Sequence, residues 1–185
     1  MSLVPTAGWK TVPAYSIASD EPDYYLSMGL TAEAVAKDYK VGREDQDEFS
    51  YNSHQKAINA ISSGYFKSGI LPINIEQVYV DEKGKRKTKS YTIDTDEGPR
   101  QDTSQEALAK LKPVFAAQGT VTAGNSSQTS DGAAFVLVMS ESMVNELGLK
   151  PIARLVNCVS AGVNHRVRGI GPVEAVPKVL KRAGM

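Results

Sequence analysis

The chain has 185 residues, 41% of them hydrophobic, enough to bury one sizeable core or two small ones. Lys plus Arg equal Asp plus Glu at 21 each, so no long-range field favours nucleic acid or an anionic membrane. A single Cys excludes an internal disulfide framework and a Cys-rich metal site; with no secretory leader and no apolar run long enough to span a bilayer, a cytoplasmic location is expected.

Residues 1–29 carry Pro5, Pro13 and Pro22 among Trp9, Tyr15, Tyr24 and Tyr25, hold no helical or strand period, and read as an extended lead-in. Thr31 is a candidate N-cap for a short helix over 31–39, with Leu30, Ala34, Val35 and Tyr39 near one face. A second helix starts near Arg43-Glu44-Asp45 and runs to a Gly64 C-cap, its stripe passing through Phe49, Ser53, Ala57, Ala60 and Ile61. On this reading Asp45, Asp47 and Glu48 mark a helix start and not a catalytic pair. Ile73, Ile75, Val78 and Val80, a charged turn at 81–85, and Tyr91 and Ile93 on the return predict a β-hairpin. Its basic tip adjoins Asp81 and Glu82 and reads as solvated, with a phosphate grip as the alternative.

Thr103-Ser104-Gln105-Glu106 is a capping-box signature for a helix over 107–112, which Pro113 ends before Val114-Phe115 and a Gln118-Gly119 turn. The polar loop 124–132 then feeds the unbroken apolar run 133–139, predicted as a strand buried on both faces. Small Gly and Ser side chains in such a loop let a ligand approach the main chain closely. Ser140 caps a short helix closed by Gly148, residues 152–163 read as another strand, and Pro172 opens a last helix that has Pro177 inside it.

Chemistry-bearing residues are few. His54 falls in register with Ile58 and Ile61 and reads as an ordinary partly buried or surface His; His165 lies in a basic loop; Cys158, mid-strand, reads as an inert small hydrophobe. No metal-ligand spacing, nucleophile elbow or phosphate-loop Lys motif is present. Gly169-Ile170-Gly171-Pro172 reads as a turn and helix start, with anion binding as the alternative. The residues by themselves give a ligand-contacting loop and no catalyst.

The stretch 'TVTAGNSSQTSDGAAFVLVMSE', preceded by 'DEGPRQDTSQEALAKLKPVF', resembles the middle of a thiolase, the coenzyme A-dependent enzymes that cleave or form 3-ketoacyl-CoA. 'MGLTAEAVAKDYKVGREDQDEFSYNSHQKA' is similar to the family's central helical segment, 'GIGPVEAVPKVLKRAGM' to the start of its second half, and 'MSLVP' to an internal stretch. The resemblance implies an incomplete α/β thiolase-like fold. Residues 1–115 would be a mainly helical excursion with a β-hairpin, 116–148 the end of the first α/β half, and 149–185 the start of the second.

The family's nucleophilic Cys, its His and Asn motifs and its second Cys are not matched, so no catalytic residue and no metal ligand carries over, and Cys158 does not inherit a role. What carries over is a coenzyme A or acyl-CoA site, with coenzyme A as substrate and no separate cofactor. By resemblance Met28, Arg100, Phe115, Ala123 and Ser127 line it: Arg100 toward the nucleotide, Phe115 and Met28 as apolar walls, Ser127 toward the pantetheine arm. The structural alternatives are an ion pair for Arg100, a core position for Phe115 and a self-capping turn for Ser127. The chain departs from the family at Asn164-His165-Arg166-Val167-Arg168-Gly169, where Arg168 replaces an apolar residue near the acyl end. That change points to altered specificity or to a gene drifting after disruption.

Three readings stay open. The chain derives from an acyltransferase and is inactive alone; or it is a non-enzymatic coenzyme A-binding or assembly module, a homo-oligomer or one complemented by the missing thiolase segments, because lone apolar strands expose unpaired edges. The third is an incomplete reading frame, since Met1 resembles an internal Met and the chain stops just after a helix.

Overall fold

A computed structural model describes residues 12–185. Pro5, Trp9 and the 'MSLVP' stretch lie outside them. Tertiary contacts divide the described chain into two units: residues up to Val41 with Pro113–Val121 and Ser127–Met185, and Gly42–Lys112 with Thr122–Ser126.

In the first unit the described part of the lead-in, residues 12–29, is largely helical and not extended. Helix α1 spans Tyr15–Asp20 and a short 3-10 helix spans Pro22–Tyr25. Pro22 stands in its first turn, where a missing N–H breaks no bond. Helix α2, Met28–Asp38, begins three residues earlier than expected. Ser27 is its N-cap and accepts from the Leu30 amide at 3.4 Å. Thr31 is instead buried within the helix, where its hydroxyl donates to the Met28 carbonyl at 2.8 Å. Helix α5, Glu141–Glu146, and helix α6, Gly171–Ala183, follow their predicted signals. Ser140 caps the first, Gly148 and Gly184 sit just past their ends at φ 60° and 70°, and α6 continues through Pro177.

The predicted strands at 133–139 and 152–163 do not form. A strand exists as part of a ladder, and among the described residues neither run has a partner. Phe135 is accordingly 99% exposed, and Val136, Leu137 and Ile152 are exposed too.

In the second unit helix α3, Arg43–Ser62, keeps its predicted bounds. The Asp45 carboxylate accepts from the Gly42 amide at 3.1 Å, and Gly64 takes the left-handed φ of 75° beyond the last turn. Its inward face differs from expectation: Phe49 is 78% exposed, whereas Asp47 is 6% exposed. Strands β1, Ile73–Val80, and β2, Arg86–Ile93, form the predicted antiparallel hairpin, with Ile73 opposite Ile93 and Val80 opposite Arg86. The Asp81 carboxylate accepts from the amides of Lys83 and Lys85 at 2.9 and 2.8 Å, and the lysines of the tip are exposed. Helix α4, Gln105–Ala109, is capped by Ser104, not Thr103, and ends three residues short of the expected stop.

The buried hydrophobic residues among those described are Ala34, Ala36 and Val121 in the first unit and Leu108 in the second. No helix among the described residues is long and apolar enough to cross a membrane.

Candidate functional site

The five residues expected to face coenzyme A divide between the units: Met28, Phe115 and Ser127 in the first, Arg100 and Ala123 in the second. In the first, Met28 opens α2 and is exposed. The Phe115 ring rests against the backbone of the next residue, Gly29, so closely that a side chain at 29 would overlap it. The segment carrying Phe115 doubles back: the Val114 amide donates to the Val121 carbonyl and the Gly119 amide to the Ala116 carbonyl, both at 3.0 Å. One side chain of α2 pins that return. The Glu33 carboxylate accepts from the Thr120 amide at 2.9 and 3.0 Å, the Val121 amide at 2.9 Å and the Thr120 hydroxyl at 3.2 Å. Phe115 and the first turn of α2 are thus held together as one partly exposed apolar surface. Ser127 is exposed, its hydroxyl 3.4 Å from the Gln128 carbonyl.

In the second unit Arg100 is exposed and forks onto both carboxylate oxygens of Asp102 at 3.2 and 3.1 Å. Hydrogen bonding to that guanidinium holds the Asp102 carboxyl below the usual carboxylate range and raises Arg100 further. The Arg100 amide donates to His54 Nδ1 at 3.2 Å, giving that helix residue a positional job. Ala123 is exposed at the crest of a turn built on buried Thr122. The Thr122 amide donates to Asn125 Oδ1 at 2.7 Å, its hydroxyl accepts from the Gly124 and Asn125 amides at 3.2 and 3.3 Å, and its carbonyl accepts from the Ser126 hydroxyl at 2.7 Å. A Cβ at Gly124 would crowd the Leu108 and Leu111 side chains, so glycine lets the turn lie close against them.

Helix α3 secures this turn. Asn125 Nδ2 donates to Asp47 at 2.9 Å, the Ser50 hydroxyl donates to the Gly124 carbonyl at 2.6 Å, and Arg43 Nε donates to Asp47 at 2.7 Å. Arg43 also donates to the Leu108 and Leu111 carbonyls at 2.6 and 3.0 Å, neutralising the C-terminal end of α4. Sequence reading treated Asp47 as part of a helix start and missed Glu33, Arg43 and Asn125. The four-residue step from Arg43 to Asp47 was the one available signal.

Other expected positions resolve differently. Cys158 is exposed and free, since the strand meant to bury it does not form. His165 opens a 3-10 helix, His165–Ile170, and sets its ring edge-on to Tyr24 with centroids 4.9 Å apart. Arg168 donates to the Tyr24 and His165 carbonyls at 2.8 and 3.2 Å, which ties the Pro22–Tyr25 turn down. Arg166 pairs with the Asp38 carboxylate and holds it below the usual range. Among the described residues no group of three His, Cys, Asp or Glu side chains could hold a metal ion.

Comparison with known proteins gives a consistent result. The profile of the thiolase N-terminal domain matches residues 16–142. The 3-ketoacyl-CoA thiolase of Bacillus subtilis is 47% identical over all 185 residues, which cover 47% of that protein. An acetyl-CoA acetyltransferase of Thiocystis violacea is 50% identical over 157 residues, 85% of this chain and 38% of that one. The chain therefore spans less than half the length of these relatives. Among solved structures, the Bacillus anthracis acetyl-CoA acetyltransferase superposes with a TM-score of 0.79 at 37% identity, covering 98% of this chain and 45% of that one. The dimeric peroxisomal thiolase of Saccharomyces cerevisiae gives 0.82 at 37% identity, with 94% and 42% covered. Because one profile takes in most of the sequence, and solved thiolases share its backbone path as well as its residues, the chain belongs to the thiolase family.

Proposed function

We propose that this chain supplies coenzyme A-facing residues to a thiolase-type acyltransferase, which transfers acyl groups between coenzyme A and a 3-ketoacyl thioester in the cytoplasm. The observation that carries the reading is identity running through all 185 residues to a protein named a 3-ketoacyl-CoA thiolase. Exposure of Met28, Arg100, Phe115, Ala123 and Ser127 supports it, since a ligand needs access to each. Phe115 and Met28 offer apolar surface, the guanidinium of Arg100 can exchange Asp102 for a nucleotide phosphate, and the hydroxyl of Ser127 is available to the pantetheine arm. Coenzyme A is substrate here, with no separate cofactor. Residues 1–115 form the excursion, 116–148 close the first α/β half and 149–185 open the second.

Acyl transfer of this kind runs through a thioester on a nucleophilic Cys in two half-reactions. None of the family's Cys, His and Asn motifs lies in these residues, so the chain alone binds and does not turn over. A thiolysis assay on the 185-residue protein tests this: no turnover is expected, and turnover that survives Cys158→Ala would overturn it. Titration with coenzyme A tests the binding half.

A second reading has its own observation. The run 133–139 is exposed along most of its apolar length, with Phe135 at 99%, and favours a module that assembles with copies of itself or with the complementary thiolase segments. Sedimentation at several concentrations decides: association supports it, and a well-folded monomer throughout refutes it.

A further inference from the structure

We infer that the polar stripe Arg43, Asp47, Ser50 and His54 on α3 positions the two coenzyme A-facing residues of its unit, Arg100 and Ala123, and that the Asp47–Asn125 pair is the joint on which this depends. The inference rests on the coenzyme A reading above. Steps of four, three and four residues place the four side chains on one helix face. An inward face of a helix is ordinarily apolar. Here every member meets a distant segment, and the targets are mostly main chain: Arg43 the carbonyls ending α4, Ser50 the Gly124 carbonyl, His54 the Arg100 amide, and Asp47 the Asn125 amide group.

Binding the main chain fixes where a loop runs without occupying its side chains. Arg100 is held by its amide while its guanidinium stays exposed, and Ala123 sits between the anchored residues Thr122 and Gly124. Asn125 is the one link that must both accept and donate, taking the Thr122 amide on Oδ1 and giving Nδ2 to Asp47. Among side chains of that size an amide does both and a carboxylate does not. Asp47, nearly enclosed and balanced by Arg43, has little water to replace a lost partner.

The decisive experiment is a reciprocal swap. Asn125→Asp sets two carboxylates against each other; adding Asp47→Asn again pairs one amide donor with one carboxylate acceptor across the joint. Coenzyme A affinity is measured by titration calorimetry well below the melting temperature, with thermal melting and amide hydrogen exchange on the same proteins. Asn125→Asp is expected to weaken binding about tenfold, and the double variant to return to within about threefold of the original. Unchanged affinity in Asn125→Asp overturns the proposal, and so does a double variant that regains melting temperature without affinity. Should the unsubstituted chain not bind coenzyme A, the coenzyme A reading fails, and positioning is judged by exchange at the Thr122, Gly124 and Asn125 amides. Protection lost in the single variant and recovered in the double sustains it; protection that never changes overturns it.

Discussion

Removing the Glu33 carboxylate offers a local test of how the first unit holds Phe115. Its two oxygens accept from two main-chain amides and one hydroxyl in the 119–121 return. Hydrogen bonds to a charged group are each worth about 1.5–3 kcal/mol net. The two amides are not equivalent: Thr120 is partly exposed and water can replace its acceptor, whereas Val121 is buried and bears the desolvation cost. Counting mainly Val121, and allowing roughly 0.5 kcal/mol back for the better helix propensity of Ala, Glu33→Ala should cost about 2 kcal/mol. Glu33→Gln should cost only about 1 kcal/mol, because one carbonyl oxygen in the Oε1 position still meets both amides. The appropriate assay is native-state hydrogen exchange at the Val121 amide, which reports local opening. Protection should fall about thirtyfold in Glu33→Ala and about fivefold in Glu33→Gln. Equal losses in the two variants, or protection within a factor of two of the original in Glu33→Ala, would refute the carboxylate clasp.

Gly29→Ala should displace the Phe115 ring and destabilise the first unit by about 1–3 kcal/mol, whereas Gly132→Ala, with open space around it, should change little; urea titrations compare them, and equal effects would argue against the packing of Phe115 on α2. The Asp38–Arg166 pair sets a pH dependence. Because the folded carboxyl titrates below its ordinary value of about 3.9, its contribution is complete above that value and is lost as pH falls through the lowered one. Asp38→Asn should therefore lower the melting temperature slightly at neutral pH and leave it unchanged in strong acid; an offset of equal size at every pH would count against the pair. Asp102→Asn, by freeing Arg100, should tighten coenzyme A binding about threefold at low salt and less at high salt. No change at either ionic strength would remove Arg100 from the nucleotide end.

The sequence by itself determined the family, the bounds of α3, the hairpin, and the helices α5 and α6. Gly64 and Gly148 each adopt the positive φ that ends a helix, Ser140 and Pro172 open helices, and the charged turn at 81–85 joins the two strands of a hairpin. These signals are local, acting within about one turn of chain, so a single sequence displays them. The tertiary structure alone decided which face of α3 turns inward, that Ser27 caps α2, and how the loops carrying Phe115 and Ala123 are secured. Glu33 and Thr120 lie 87 residues apart, and Asp47 and Asn125 lie 78 apart. A polar residue four places from another looks like a solvated pair until a distant main-chain group arrives to use it. An apolar run such as 133–139 likewise reads as a buried strand, yet a strand is made by the partner it pairs with, and that partner is not written in the run itself.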